Sequence, residues 1–206
     1  TFKGDITNNV VELNLQAGAN NIGTPTVAYD GTNNGEISVQ VMGDVDGSSG
    51  FSFDNSVKGL VIGTSCTSIG SDAFHSCFSL TGSLIIPDSV TSIGDYAFFG
   101  CSSFTGSLTI PDSVTTIGDT SFQYCTGLTG SLTIGNSVTT IGSFAFRGCT
   151  GLTGSLTIGN SVTAIGNRAF NGCGGFDGSL TIPNSVTTIG SFAFENCSGL
   201  TGSLTI

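Results

Sequence analysis

The sequence predicts a mostly β protein whose larger part is a solenoid, with equal lengths of chain wound into stacked coils. The first observation is a repeat of constant length. Six cysteines recur every 24 residues, at Cys77, Cys101, Cys125, Cys149, Cys173 and Cys197. The second is that Phe, Leu and two glycine positions recur with the same step from about Leu60 onward. The third is that Gly or Pro interrupts every apolar run before a helix of ordinary length can form. Together these features are typical of a repeat architecture.

Each repeat contains a short predicted strand, seen in "SLTI" at 131–134. Leu132 and Ile134 alternate with Ser131 and Thr133, so the apolar pair is expected to point inward and the hydroxyls outward. A Pro or Gly then ends the strand. The next residue is an Asp or Asn, whose short side chain is expected to bond to the turn's own backbone. These residues are Asp88, Asp112, Asn136, Asn160 and Asn184.

A second apolar pair follows in "SVTTIG", where Val138 and Ile141 precede the closing Gly142. The next segment, "SFAFRGC", predicts at most one helical turn. A single coil cannot bury these side chains alone, whereas stacked coils bury them in continuous columns and pair their strands. An insertion would break the columns, which explains the constant spacing. We therefore predict a solenoid of six 24-residue repeats.

The first 58 residues lack the repeat and are predicted to form a small β-rich unit. Two alternating runs, "NNVVELNLQ" and "GEISVQVMG", favour strands, and half of the 14 acidic residues lie in this segment. The predicted organisation is a cap or attachment unit at 1–58, followed by the solenoid at 59–206. Phe51 and Phe53 are expected to cover the open end of the first coil. The final "TGSLTI" offers no polar cap, so either the array continues beyond residue 206 or another chain covers the last coil.

Composition and motifs exclude several classes of function. The formal net charge is −10 and the chain has only four Lys and Arg residues, which leaves no basic patch for nucleic acid. No apolar run approaches the roughly 18–20 residues of a membrane helix. The "DVDG" at 44–47 lacks the later acidic ligands of a calcium loop, so a hairpin turn is the preferred interpretation. No Walker loop, nucleophile elbow or zincin helix is present. We expect neither enzymatic activity nor a cofactor.

The periodic cysteines are predicted to be buried free thiols that serve as packing atoms. Neighbouring coils lie about 4.8 Å apart with parallel Cβ vectors, whereas a disulfide needs Cβ atoms about 3.5–4.5 Å apart and turned toward each other. Zinc sites use paired short spacings such as C-x-x-C, which this chain lacks. Disulfides or a metal remain the alternatives. Cys66 falls in the column of Val90, Val114 and Val138, so it is interpreted as a small hydrophobic residue.

The combined pattern "SLTIPDSVTTIG..AF..C..L" resembles the BspA-like, or Treponema-type, leucine-rich repeats. The resemblance covers about residues 60–206. It implies a right-handed solenoid with a parallel sheet on one face and mostly short, irregular structure on the other. It also implies a secreted or surface-displayed protein that acts in adhesion and in host or matrix binding; related repeats occur in viral proteins. The additional "TGS" spacing departs from the family pattern and bears on local curvature, not on the fold.

Two columns change residue type at nearly every repeat, while the framework columns hardly change. One column reads Asp72, Tyr96, Thr120, Phe144, Arg168 and Phe192, and the other reads His75, Phe99, Gln123, Arg147, Asn171 and Glu195. Next to them run Ser76, Gly100, Tyr124, Gly148, Gly172 and Asn196. Drift on an unconstrained surface is one explanation. The other is a recognition stripe on the non-sheet face, since Tyr, Phe and Arg are favoured contact residues. The candidate binding residues are Tyr96, Phe99, Tyr124, Phe144, Arg147, Arg168 and Phe192. His75, the only histidine, is expected in an exposed turn without a catalytic role.

The predicted sheet face offers a second candidate surface. Two rows of hydroxyls run along it, at Ser107/Thr109, Ser131/Thr133, Ser155/Thr157 and Ser179/Thr181. Such rows suit carbohydrate binding or the ordering of water by an ice-binding protein, although Ser and Thr also suit any solvated strand.

The leading hypothesis is a non-catalytic leucine-rich-repeat module that binds a protein or carbohydrate at an extracellular or particle surface. The alternative is a structural component of a virion or filament, such as a decoration or fibre protein, that uses the array as a rigid spacer. In that case residues 1–58 or the uncapped C-terminal end would join the chain to a multi-copy assembly. We expect no nucleic-acid partner and no insertion into a membrane.

Overall fold

The structure, a computed structural model, describes residues 10–13, 37–41, 57–64 and 66–206. Short strands and turns make up these residues, and no helix occurs among them. The strands are β1 Val10–Leu13, β2 Ile37–Val41, β3 Val57–Ile62, β4 Ser68–Ile69, β5 Gly82–Ser83, β6 Ser92–Ile93, β7 Phe104–Thr105, β8 Leu108–Ile110, β9 Thr116–Ile117, β10 Leu132–Ile134, β11 Thr140–Ile141, β12 Leu156–Thr157, β13 Ala164–Ile165, β14 Leu180–Thr181, β15 Thr188–Ile189 and β16 Leu204–Thr205. The "SFAFRGC" segments form turns.

Two sets of parallel strands join the coils. The "SVTTIG" segments form a six-stranded sheet in the order β15-β13-β11-β9-β6-β4. The "SLTI" segments form the sheets β12-β10-β8 and β14-β16, and β5 pairs with β7. Thr116 pairs with Thr140 and Leu108 with Leu132, so the register advances by one repeat per strand. The predicted solenoid of 24-residue coils is confirmed.

The interior is a set of columns in which equivalent side chains lie above one another. Leu132 and Ile134 are buried while Thr133 between them is half-buried, as the alternation predicts. The phenylalanines of six successive coils stack face to face, with ring centroids 5.1–5.5 Å apart and planes inclined by 2–12°. A repeat of different length would move a ring out of this column, which is the physical reason for the constant period.

Hydrogen bonds between coils also involve the turns and the polar side chains. The Phe98 N–H donates to the carbonyl of Ser121 at 2.7 Å, and the Phe122 N–H donates in the same way to Ala145. Thr139 donates both its N–H and its hydroxyl to the Thr115 carbonyl, at 2.9 and 3.1 Å. Backbone groups outside the short strands are thereby paired with the adjacent coil.

The turn Asp and Asn side chains were predicted to bond to the backbone of their own turn. This prediction is wrong, because the partner lies in the following coil. Asp112 Oδ1 accepts a hydrogen bond from the N–H of Asn136 at 2.6 Å. Asn136 Oδ1 accepts in turn from the N–H of Asn160 at 3.2 Å. Equivalent turns are only about 4.8 Å apart in the stack, so the short side chain reaches the backbone of the following coil.

The N-terminal strands are parallel as well. The predicted runs contain β1 and β2, and these pair with β3 in the order β1-β2-β3. β3 runs through the predicted boundary between residues 58 and 59 and pairs with β2. The predicted roles of Phe51, Phe53 and the "DVDG" turn lie outside the described residues. Within the part of the chain that the structure describes, no helix is long and apolar enough to cross a membrane.

Candidate binding surface

The first variable column lies at a turn where the backbone is left-handed. Asp72, Tyr96, Thr120, Phe144, Arg168 and Phe192 all have φ between 52° and 62°. In this turn the Tyr96 N–H donates to the Asp119 carbonyl of the next coil, at 2.9 Å, and the Phe99 N–H closes the turn on Tyr96. The same conformation recurs in six coils although the position is occupied by five different residue types. The geometry of the coil, and not the residue type at that position, therefore imposes the left-handed conformation.

Glycine would adopt this conformation without strain, yet the column contains none. A side chain in the left-handed region costs about 1–2 kcal/mol per residue. A neighbouring column, which is also left-handed, carries glycine in three of its six coils, at Gly100, Gly148 and Gly172. The first column thus keeps large side chains at positions where they destabilise the backbone. Strain of this kind points to a role for the side chains themselves.

All seven candidate residues lie in one continuous set of contacts, which we call the aromatic–arginine stripe. It consists of Tyr96, Phe99, Tyr124, Phe144, Arg147, Arg168 and Phe192. The ring of Phe99 is 6.0 Å from that of Tyr96 and 5.9 Å from that of Tyr124. The Arg147 guanidinium lies 5.7 Å from the ring centroids of both Tyr124 and Phe144.

The second arginine extends the stripe to the last coil. The Arg168 guanidinium lies 6.0 Å from the Phe144 ring and 4.7 Å from the Phe192 ring. Cation–π contacts of this type are worth about 0.5–1 kcal/mol at exposed sites, and each one links a guanidinium to a ring of its own or an adjacent coil. The stripe is therefore an ordered surface rather than seven independent side chains.

Solvent reaches the stripe along its whole length. Tyr96 is 43% exposed, Tyr124 41% and Phe192 55%, while Phe99 and the two arginines are half-buried. Neither guanidinium forms an ion pair with any residue that the structure describes. The nearby Glu195 carboxylate instead accepts a hydrogen bond from the Asn171 amide at 2.5 Å. The donor groups of both arginines remain available to a partner.

Two supporting residues were missed by the sequence reasoning. His75 is exposed, as predicted, but it also stacks on Phe99 with a centroid distance of 4.7 Å and continues the row of rings by one coil. Gly148 lies under the Tyr124 ring, where a Cβ would approach the ring to 2.7 Å. The alternation of Tyr and Gly at 124 and 148 was the signal in the sequence for this packing.

The cysteines lie in the core, as predicted. Six of the seven are buried, and Cys197 in the last coil is half-buried. Each thiol from Cys101 onward donates to the carbonyl of a core phenylalanine in the preceding coil; for Cys125 the Sγ–O distance to Phe98 is 3.1 Å. Burial raises the pKa of the Cys77 thiol to about 12, which keeps it protonated and unreactive. The described residues include no group of three His, Cys, Asp or Glu side chains suited to a metal ion.

The "SLTI" face carries the hydroxyl rows along an open groove of about 770 Å³. Thr109, Thr133 and Thr157 line the groove. The serine row is partly engaged within the stack, since Ser107 Oγ accepts a hydrogen bond from the Ser131 N–H at 3.2 Å. The groove also has carboxylates in its lining, at Asp88 and Asp112, so a ligand there meets both threonine hydroxyls and acidic side chains.

Comparison with known proteins places these features in a family context. The profile of the BspA type leucine-rich repeat region matches residues 47–175 and 125–205, in six copies. A leucine-rich cell surface protein from Faecalibacterium prausnitzii A2-165 is 34% identical, with a TM-score of 0.63, over 81% of this chain and 42% of that protein. No functionally curated protein matches the chain.

Two other solved structures are similar. A leucine-rich repeat protein from Bacteroides ovatus ATCC 8483 is 27% identical, with a TM-score of 0.66, over 94% of this chain and 45% of that protein. The leucine-rich repeat protein of T. pallidum is also 27% identical with a TM-score of 0.66, over 79% of this chain and 77% of that protein. The chain spans less than half the length of the F. prausnitzii and B. ovatus proteins.

Proposed function

Because the chain belongs to the BspA-type leucine-rich-repeat family, we propose that it is a non-catalytic, surface-displayed module that binds a partner protein through the aromatic–arginine stripe. The match of the family profile confirms the resemblance that the repeat pattern predicts. Repeats of this family generally act as binding scaffolds without catalytic activity. Display at the cell surface is supported by the F. prausnitzii relative, which is described as a cell surface protein.

One observation carries the choice of the stripe. Phe144, Arg168 and Phe192 occupy left-handed backbone positions and contact one another there, although glycine would remove the strain. Drift would fill such a column with Gly, Asn and Asp, the residues that tolerate this conformation. Large aromatic and guanidinium groups are the side chains that dominate protein–protein contacts.

The test compares three forms of the chain. Alanine replaces Tyr96, Tyr124, Arg147 and Arg168 in the stripe variant. A groove variant carries T109V, T133V and T157V on the other face and serves as the matched control. Far-ultraviolet circular dichroism and urea unfolding establish that each variant retains the fold.

Binding is measured with a phage library of random peptides selected on the unmodified chain. We expect the selected peptides to bind the groove variant and the parent with equal affinity. They should not bind the stripe variant. If the peptides bind the parent and the stripe variant equally but do not bind the groove variant, the binding site is the "SLTI" face. Selection of no peptide that distinguishes the stripe variant contradicts the proposal.

A ligand of a different class is favoured by the groove itself. Its three threonine hydroxyls at one-coil intervals suit the hydroxyls of a carbohydrate. For that function we expect the parent and the stripe variant to bind glycans on an array and the groove variant not to bind them. Thermal hysteresis in the parent chain, absent from the groove variant, would instead indicate ice binding.

The structural alternative concerns residues 1–58. Among the strands that the structure describes, β1 forms one edge of the β1-β2-β3 sheet, and a strand edge is a site at which chains associate. We propose that this segment is either a cap on the solenoid or the point of attachment to an assembly. Native mass spectrometry of the chain distinguishes the two, because a cap leaves it monomeric and an attachment unit produces oligomers of fixed number.

A further inference from the structure

The two arginines of the stripe differ from every other charged group of the solenoid. Arg147 and Arg168 are its only cationic side chains beyond Lys58, in a chain of net charge −10. They lie in adjacent coils and share contact with the Phe144 ring, at 5.7 and 6.0 Å. A position that concentrates the positive charge of an acidic protein is suited to an anionic group of a partner.

The rings determine how these arginines are presented. A guanidinium over an aromatic face is attracted to that face without using its N–H donors in hydrogen bonds. Neither arginine is paired with a carboxylate of the described residues. A planar guanidinium with free donors matches a carboxylate, which it binds through two parallel hydrogen bonds.

The overall charge limits the kind of anion. A polyanion such as a sulfated or uronate polysaccharide would be repelled along the rest of the solenoid, where seven Asp and Glu residues outnumber the two arginines. A single carboxylate flanked by apolar groups meets the arginines and the rings at once. Protein segments supply that combination as Asp or Glu beside an aromatic or aliphatic residue.

The stripe also sets the length of the partner segment. It crosses the same coils as the core rings, whose centroids are 5.1–5.5 Å apart, from Tyr96 in the second coil to Phe192 in the sixth. An extended peptide rises about 3.3 Å per residue, so a segment of roughly six to eight residues covers the stripe. The arginines occupy one part of this length, and Tyr96 and Phe99 occupy the other.

We propose that the stripe binds an extended segment of a partner protein, with an Asp or Glu carboxylate on Arg147 and Arg168 and an aromatic or apolar side chain on Tyr96 and Phe99. This inference rests on the proposed function and specifies the chemistry of the partner. The carboxylate accepts from both guanidinium groups, while the second side chain packs against the exposed ring of Tyr96 and the half-buried ring of Phe99. The segment binds along the axis of the solenoid, outside both strand ladders.

The experiment uses the full chain and a defined array of octapeptides. Each probe carries one Asp or Glu and one Phe or Tyr at varied separation and in both orders, and its twin carries Asn or Gln in place of the acid. The chain is tested as the parent, as R147Q/R168Q, as R147K/R168K and as K58Q, which removes one positive charge away from the stripe. Polygalacturonate is the polyanion probe.

We expect acidic octapeptides to bind the parent and K58Q about tenfold or more tightly than their amide twins. R147Q/R168Q should abolish this preference. R147K/R168K should keep part of it, because lysine retains the charge and loses the bidentate geometry. Added salt should weaken the acidic probes and leave the amide twins nearly unchanged.

Other outcomes overturn the inference and separate it from the proposed function. If amide twins bind as well as acidic probes, and neither binds the alanine stripe variant, the stripe binds a partner but the carboxylate of the peptide contributes nothing to the affinity. If polygalacturonate binds and no octapeptide does, the partner is a polyanion and not a protein segment. If no probe binds the parent, an extended acidic segment is not the ligand, and only peptides from the random library sustain the proposed function.

Discussion

Replacement of Gly118 by alanine tests the close approach of successive coils. Gly118 follows β9, and a Cβ built on it would lie 2.5 Å from the Gly94 carbonyl carbon and 2.6 Å from the Asp95 nitrogen of the preceding coil. Both atoms belong to the backbone, so no side chain can rotate away to make room. The two coils must separate if a methyl group is present. This is why glycine recurs at that position in every repeat.

The expected loss follows from two contributions. Overpacking of a tight contact costs about 1–3 kcal/mol. Separation of the coils also breaks the bond that the Asp119 N–H donates to Asp95 Oδ1 at 2.7 Å, and a hydrogen bond to a charged group is worth about 1.5–3 kcal/mol. The free energy of unfolding of Gly118→Ala should therefore fall by about 2.5–6 kcal/mol. For a chain of this length that corresponds to a decrease in Tm of roughly 5–24 °C.

Gly178→Ala provides the matched control. Gly178 has φ +78°, but no atom lies within 4 Å of the position that a Cβ would take. Only the left-handed backbone is affected, at a cost of about 1–2 kcal/mol. Urea unfolding followed by circular dichroism should give Gly118→Ala a clearly lower free energy of unfolding than Gly178→Ala. Equal losses of unfolding free energy in the two variants would refute the claim that contact between coils, and not local backbone conformation, selects glycine at the position of Gly118.

Three further predictions concern the stack. Phe122→Ala should destabilise by about 3–5 kcal/mol because the ring is fully buried and stacks on both neighbours, whereas Phe194→Ala, with one stacked partner and partial exposure, should cost less in the same urea assay. Burial raises the pKa of the Cys77 and Cys197 thiols to about 12 from an ordinary value of 9.0. The unfolded chain therefore loses these protons first, and the free energy of unfolding should fall between about pH 9 and 12; a Cys77→Ala variant with an undiminished alkaline loss would contradict this assignment. Ser113→Ala removes a 2.6 Å hydrogen bond to a carbonyl of the preceding coil and should cost about 0.5–1.5 kcal/mol, and no change in urea midpoint would mean that the bond contributes nothing to stability.

Much of the architecture was predictable because the repeat is nearly invariant. Equal spacing of Phe98, Phe122 and Phe146 predicts a column, and a column of rings is what the structure contains. The burial of the cysteines followed from the same reasoning. By contrast, the partner of the Asp112 side chain was assigned to its own turn, because a short side chain in an isolated turn usually bonds to the backbone of that turn.

The candidate site was predictable in its membership but not in its geometry. Variation between repeats singled out Tyr96, Arg147 and the other stripe residues, since a column that changes type has no framework role. The sequence did not show that the guanidinium groups lie over aromatic rings, because such contacts depend on rotamers and on the distance between coils. The left-handed backbone was also hidden, since residues such as Phe144 rarely adopt it.

The sequence by itself determined the period, the identity of the buried columns and the family, because each is a property of residue type and spacing along the chain. Only the tertiary structure decided which atoms meet between coils: the thiol on the phenylalanine carbonyl, the glycine against backbone, and the arginine on the ring. These contacts join residues about one full repeat apart. Their geometry follows from the separation and rotation of stacked coils, which are properties of the assembled stack and not of any one repeat.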